Sequence, residues 1–310
     1  MMTKRTVVLA HYYTIPEVQQ MADFVGDSLD LSLAARDAEA DRIVFAGVRF
    51  MAETAKILNP DVEVLLPSSK STCSLVEETD LEELTDWIGS IREGAAKTGQ
   101  EVSHVMYINS SVEMKTLADI IVTSRNVEEI IAAEKAKGKL VAFSPDYNMG
   151  QYINHVNGWD MPVWSATCEV HEKFNVEALE KEYAERAEIP ILIAHPESTL
   201  GVLNMADFVG STSKMLQYVK DFDLDPGGTV IFVATEDGIL HNMREARPEL
   251  TIEQAPVYSG CQCNSCFYMK LNTVRKVDLA RIGFATPINY ISDELREKAL
   301  IPINRMLEFT

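Results

Sequence analysis

Met21-Ala22-Asp23-Phe24-Val25-Gly26 recurs letter for letter as Met205-Ala206-Asp207-Phe208-Val209-Gly210. Ten residues upstream of each copy stands a histidine, His11 or His195, preceded by an apolar run ending in alanine: Val7-Val8-Leu9-Ala10 and Ile191-Leu192-Ile193-Ala194. A more diverged copy lies between them. There Val105-Met106-Tyr107-Ile108-Asn109 leads into Leu117-Ala118-Asp119-Ile120-Ile121-Val122-Thr123-Ser124 at the same internal spacing. His11 and Tyr107 are 96 residues apart, Tyr107 and His195 88. Two long-range registers that both hold identify an internal repeat rather than chance similarity.

Outward from this frame, each repeat reads as alternating strands and helices. In the first, strands are expected over 6–10, 24–25, 42–46 and 62–66. Its helices fall over 16–22, 29–40 (capped by Ser28 or Asp27) and 50–58. In the second, strands fall over 105–108, 120–122, 140–143 and 162–164, with helices over 112–117 and 127–137. The third runs from 191 through 218, turns at 225–228 and continues as a strand over 230–234. Helices over 81–95 and 176–187 connect the repeats, and a last helix over 292–309 is expected to pack on the first. Apolar β-branched strands alternating with helices imply parallel sheets covered on both faces. The fold class is therefore α/β. Three pseudo-threefold-related domains, each a small parallel sheet covered by helices, close in a triangular arrangement around a central site. The domains are expected at 1–88 plus 275–310, 89–183 and 184–274.

A chain of 310 residues, 46% apolar and 24% charged, is an ordinary globular composition with room for several cores. No apolar run approaches the roughly 18 residues of a membrane span, and no signal-peptide pattern opens the chain, so a cytoplasmic location is expected. A net charge of −19 disfavours nucleic acid as a partner. It leaves room for an anionic small substrate if local donors such as helix N-termini bind it.

Ligand sites in parallel α/β sheets lie beyond the carboxyl ends of the strands. At the end of each repeat's first strand come His11, Tyr107 and His195, and two positions on come Tyr13, Asn109 and Glu197. Ser28, Ser124 and Thr212 open the helix after each second strand. Helix capping alone accounts for a hydroxyl at a helix start. It does not account for a proton-moving group at every strand end.

The five cysteines are too few and too scattered for a disulfide framework in such a chain. Cys73, Cys168 and Cys266 are spaced by 95 and 98 residues, close to the repeat length, whereas Cys261 and Cys263 precede the last of them in a longer loop. One thiol per repeat makes a threefold set. Three sulfur ligands suit an iron–sulfur cluster with one open iron, which can act as a Lewis acid on a substrate hydroxyl. Zinc competes for such ligands, although a closed structural zinc takes four. Inert buried thiols are the plain alternative.

Nine short segments, in this order, resemble a known family: His11-Tyr12-Tyr13, Gly26-Asp27-Ser28-Leu29, Tyr107-Ile108-Asn109, Thr123-Ser124-Arg125-Asn126, Cys168-Glu169-Val170-His171, His195-Pro196-Glu197, Gly210-Ser211-Thr212-Ser213, Thr235-Glu236-Asp237-Gly238, and Cys266-Phe267-Tyr268-Met269-Lys270-Leu271-Asn272. They resemble quinolinate synthase, the A protein of NAD biosynthesis, over nearly the whole chain. The resemblance implies a triangular three-domain fold and a [4Fe–4S] cluster on Cys73, Cys168 and Cys266. It implies condensation of iminoaspartate with dihydroxyacetone phosphate to quinolinate, with loss of phosphate and two waters. By motif, His11, Tyr13, Tyr107, His195 and Glu197 line the reaction site, and Ser28, Asn109, Ser124, Ser211 and Thr212 bind carboxylate and phosphate. His171 stands beside the cluster. The loop before Cys266 departs from the family's commoner Cys-x-x-Cys-x-x-Cys, leaving the role of Cys261 and Cys263 open. Tyr13 and Glu197 share a repeat position and are expected to face each other as a proton-handling pair within reach of His195. The rival readings are an aconitase-like hydro-lyase and an iron–sulfur sensor with a docking partner. A further expected partner is an enzyme that supplies iminoaspartate.

Overall fold

The computed structural model describes residues 4–223, 229–257 and 264–309. In the first repeat the strands are β1 (Thr6–His11), β2 (Phe24–Gly26), β3 (Arg42–Ala46) and β4 (Glu63–Leu66). The second has β5 (Val102–Tyr107), β6 (Ile120–Val122) and β7 (Leu140–Ser144). The third has β8 (Ile191–Ala194), β9 (Phe208–Val209), β10 (Val230–Ala234) and β11 (Thr251–Gln254). A two-residue strand, β12 (Thr286–Pro287), returns to pair antiparallel with β4. The sheets run β12-β4-β3-β1-β2, β6-β5-β7 and β11-β10-β8-β9. Every pairing between their named strands except β12–β4 is parallel. Three small parallel sheets flanked by helices are thus the architecture.

The recurring aspartate does the same work three times. Asp23 Oδ2 accepts a hydrogen bond from Val8 N, Asp119 Oδ2 from His104 N and Asp207 Oδ2 from Leu192 N, each at 2.8 Å. The main-chain N–H of each aspartate donates back to the carbonyl of that same strand residue, at 2.9, 2.9 and 2.8 Å. This two-point clamp holds the second strand in register beside the first. In the first repeat the strand then ends in Gly26, and in the third Gly210 follows it. A Cβ there would come within 3.1 Å of the Phe24 ring and 2.8 Å of the Phe208 ring. The second repeat replaces this Phe–Gly pairing with Ile120 and Val122.

Strand pleating divides the cores. In the first sheet Leu9, Ile43 and Phe45 face a core shared with the second sheet, while Val8, Ala10 and Val44 pack on Val277 and Ala280. The third sheet has separate clusters on its two faces, Ile193, Ile231 and Val233 on one and Leu192, Phe232 and Ala234 on the other. The helix Asp293–Leu307 is capped by Ser292, whose Oγ accepts from Leu295 N at 3.2 Å. It packs on the first repeat, as expected, and on the second as well. It lies in the seam between the two, against β6 and the helices Val112–Lys115 and Arg49–Leu58, because its Ala299, Ile303 and Met306 complete the shared core.

Residues 162–164 do not form the expected fourth strand of the second sheet. A single bridge joins Val163 to Phe143, and Pro162, without an N–H, supplies no donor to extend the ladder. The chain reaches this bridge through a helix, Tyr147–Asn157, that the polar sequence hid. The expected turn at 225–228 and the residues Cys261 and Cys263 lie outside the described residues. Among the described residues no helix is long and apolar enough to cross a membrane.

A polar clasp ties the three repeats together where their helices begin. Arg125 of the second pairs with Asp27 at 2.8 Å and Asp30 at 2.6 Å in the first. From the third, Lys214 Nζ donates to Arg125 O at 2.9 Å and Ser213 Oγ to Asp30 Oδ2 at 3.0 Å.

Two outcomes follow. Replacing Asp207 by alanine strands the buried Leu192 N–H and is expected to cost about 1–3 kcal/mol in denaturant unfolding, with asparagine, still an acceptor, recovering most of it. Glu134 is buried, which alone would raise its pKa, but bonds from Lys137, Lys139 and Ser103 hold it down to about 2. Arg305 of the last helix adds a further contact at 3.2 Å. A lowered carboxylate pKa stabilises the fold above the usual carboxylate range, and that contribution is lost as pH falls toward about 2. Acid unfolding of Glu134→Gln should therefore show a shallower pH dependence between about 4.5 and 2 than the unsubstituted chain.

Candidate functional site

The turns after β1, β5 and β8 meet in one cavity lined by all three repeats. After β1 the chain doubles back so that Tyr13 N donates to His11 Nδ1 at 3.1 Å. After β8 the same bond forms between Glu197 N and His195 Nδ1, at 3.4 Å. An Nδ1 that accepts a main-chain N–H leaves the imidazole proton on Nε2. Burial pushes the pKa of both His11 and His195 down to about 3, so each is a neutral imidazole.

Glu197 is the charged centre. Its Oε1 accepts from Tyr107 OH at 2.6 Å and its Oε2 lies 2.9 Å from His171 Nδ1. Burial opposes ionisation, but the bonds from His171 and Tyr107 outweigh it and hold the carboxyl well below the usual range. His171 stacks on His195 at 4.8 Å between ring centroids. Its Nε2 lies 2.9 Å from Thr235 Oγ1, which in turn lies 2.7 Å from Tyr13 OH. Tyr13 OH also shares a hydrogen bond with Thr212 Oγ1 at 3.0 Å. The result is one continuous chain, Tyr13–Thr235–His171–Glu197–Tyr107, drawing on all three repeats.

The expected Tyr13–Glu197 pair is not formed. Identical repeat position places both residues at the cavity, but Tyr107 takes the carboxylate and Tyr13 reaches it only through Thr235 and His171.

Cys73, Cys168 and Cys266 line the same cavity. Cys73 and Cys266 each precede a helical turn, Ser74–Glu77 and Phe267–Lys270, and Cys168 stands just before the 3₁₀ turn His171–Lys173. The main-chain N–H groups of Leu75 and Val76, of His171, and of Met269 and Tyr268 pull the respective thiols toward ionisation. Such donors favour thiolates. Among the described residues no Lys or Arg lines the cavity, however, and burial dominates and raises all three pKa values, that of Cys266 to about 12. Three sulfurs with main-chain donors and no balancing cation fit a bound cationic metal centre. One donor atom each from Cys168, His171 and Glu197 lies within 4.8 Å of the others, a grouping that could also hold a metal.

A family model, quinolinate synthetase A protein, matches residues 1–308. The chain belongs to this family. Relatives bearing the name quinolinate synthase include one from Microcystis aeruginosa, 42% identical over 98% of this chain and 91% of its own length. One from Prochlorococcus marinus (strain MIT 9303) is 42% identical over 97% of this chain and 86% of its own length. One from Nostoc sp. is 41% identical over 98% and 89%.

In this member of the quinolinate synthetase A family the cavity also receives Ser28, Asn109, Ser124 and Thr212. Neither Ser28 nor Thr212 is spent on capping. Asp27 caps the helix Ser28–Arg36, accepting from Leu29 N and Asp30 N, and Ser211 caps Thr212–Lys220, accepting from Lys214 N at 3.3 Å. Ser211 is fully buried and is not among the lining residues. Asn109 Oδ1 is buried with no partner among the described residues.

Sequence reasoning placed Thr235, Glu236 and Lys270 in family-like segments but gave them no role. Glu236, fully buried, accepts from Cys266 N at 3.0 Å and from Gly238 N at 2.7 Å, and pairs with Lys270 at 2.8 Å. Lys270 donates onward to Tyr13 O at 3.0 Å. A Cβ at Gly238 would lie 2.5 Å from Tyr12 O, so only glycine lets the third repeat's turn approach the first this closely. The available signal was the polar run Thr235-Glu236-Asp237 directly after an apolar strand.

The tautomers are testable. Histidine side-chain ¹⁵N shifts should show His11 and His195 as neutral Nε2–H imidazoles down to about pH 4, below the usual histidine range. An imidazolium signal from either at pH 6 would contradict the arrangement.

Proposed function

We propose that the chain is a quinolinate synthase. It condenses iminoaspartate with dihydroxyacetone phosphate to quinolinate, releasing phosphate and two waters. The observation that carries this reading is the hydrogen-bonded chain from Tyr13 to Tyr107 beside three buried thiols in one cavity. The reaction needs repeated proton transfers and the departure of hydroxide equivalents, and these groups suit both.

The thiols of Cys73, Cys168 and Cys266 would hold a [4Fe–4S] cluster. Such a cluster, bound by three cysteines, supplies an open iron that acts as a Lewis acid toward a substrate hydroxyl. The chain's own residues supply the rest. Glu197, ionised and fixed by two donors, is the acceptor end of the chain, and Thr235 and His171 pass protons toward it from Tyr13. The Tyr13 and Tyr107 phenols, raised by burial, remain protonated and act as donors. His11 and His195 offer neutral Nε2–H groups as donors to developing negative charge without themselves ionising. With no cation lining the cavity among the described residues, Ser28, Ser124, Thr212 and the Asn109 amide would hold substrate carboxylates and phosphate, aided by the N-termini of the helices that Ser28 and Thr212 begin. Ser211 serves that binding through the cap. A cytoplasmic location, with iminoaspartate delivered by a separate enzyme, fits this reading.

Anaerobically purified protein should be brown, carry about four irons per chain and form quinolinate and inorganic phosphate from the two substrates. Alanine at Cys73, Cys168 or Cys266 should abolish the colour. Glu197→Gln and Tyr13→Phe should keep the colour and lower turnover by about 100-fold or more. A coloured protein that dehydrates a hydroxyacid but releases no phosphate from dihydroxyacetone phosphate would favour a hydro-lyase instead.

A further inference from the structure

We infer that Cys168, His171 and Glu197 form a single-ion site for zinc or a chemically similar divalent cation, available when the three-thiol centre is empty. His171 Nδ1 lies 3.1 Å from Cys168 Sγ and 2.9 Å from Glu197 Oε2, and the three donor atoms fall within 4.8 Å of one another. Among the described residues the three cysteine sulfurs do not form such a group. Zinc bonds sulfur at about 2.3 Å and nitrogen or oxygen at about 2.0–2.1 Å, which sets tetrahedral ligand atoms roughly 3.3–3.6 Å apart. An ion replacing the His171 Nδ1 proton therefore needs shifts of about half an ångström or less in the two His171 contacts, with the Cys168 sulfur and the Glu197 oxygen, within 4.8 Å of each other, drawing together around it.

The surroundings match what metal ligands require. A ligating histidine uses its other ring nitrogen for an orienting hydrogen bond, and His171 Nε2 has Thr235 Oγ1 at 2.9 Å. The second oxygen of Glu197 is held by Tyr107 at 2.6 Å. His171 and Glu197 are buried, at 1% and 3% exposure. Three mixed S, N and O donors facing a cavity leave the fourth position open to water or substrate, as in catalytic rather than structural zinc sites. Because Cys168 belongs to both sets, zinc and the cluster exclude each other.

Cobalt(II) titration of the reduced, cluster-free full-length chain is the direct test. The expected spectrum is one equivalent of four-coordinate cobalt with a charge-transfer band from a single thiolate, so the unsubstituted protein itself counts the sulfurs. Cys168→Ser should lose that band, and His171→Gln and Glu197→Gln should weaken binding more than the roughly 10-fold expected for Thr235→Val. Cys73→Ser and Cys266→Ser should leave both band and affinity unchanged. Absence of binding, or a multi-thiolate band that falls in Cys73→Ser or Cys266→Ser, overturns the site. These measurements do not depend on the proposed cofactor. A second arm does: zinc-loaded chain should take up iron and sulfide far more slowly than zinc-free chain, and equal rates would overturn the exclusion. If no cluster forms even without zinc while cobalt binds as expected, the cofactor reading fails and the single-ion site stands.

Discussion

The two-point bond between a second-strand aspartate and the first strand is the constraint on which the rest depends. In each repeat the carboxylate and amide of Asp23, Asp119 or Asp207 grip both main-chain groups of one strand residue 15 positions earlier. Everything between the grip points, including the strand end, its turn and a short helix, is thereby a loop of fixed length. The repeats differ in length, 96 residues against 88, but the difference falls outside these loops. Site residues consequently arrive at the same height in all three sheets whatever their chemistry.

That constancy permits the divergence at the centre. One loop position became His, Tyr and His, and another Tyr, Asn and Glu. Three copies of a symmetric frame thus hold an asymmetric set of groups. The clasp of Arg125 on Asp27 and Asp30, with Lys214 and Ser213 closing from the third repeat, presses the helix starts together around it. Caps taken over by Asp27 and Ser211 release their neighbours' hydroxyls into the cavity. The protein separates the residues that hold the frame from those that face the ligand, often by a single position.

The frame was legible because strands and repeats write themselves in period and register. His11, Tyr107, His195, Tyr13, Asn109 and Glu197 could be placed at the site from equivalence alone. Pairing was not legible. Equivalence cannot say that Tyr107 rather than Tyr13 takes Glu197, since that depends on how side chains from different sheets interleave. Thr235 escaped because it follows a third strand, whereas the search for equivalents followed the first and second. The helix Tyr147–Asn157 escaped because its buried face includes Asn148, Gly150 and Asn154, residues that read as loop. The cysteines were legible by spacing, and His171 by family likeness, but their joint geometry with Glu197 required coordinates.

The division of the cores bears on how the chain is built during synthesis. The third sheet buries its strands with residues close to it in sequence, so it can condense as soon as it is made. The core joining the first two sheets cannot. Ala299, Ile303 and Met306 belong to it, and they are translated only after the whole third repeat. On the ribosome the last-made sheet can therefore finish first, while the two earlier ones wait, half covered, for the helix that seals them.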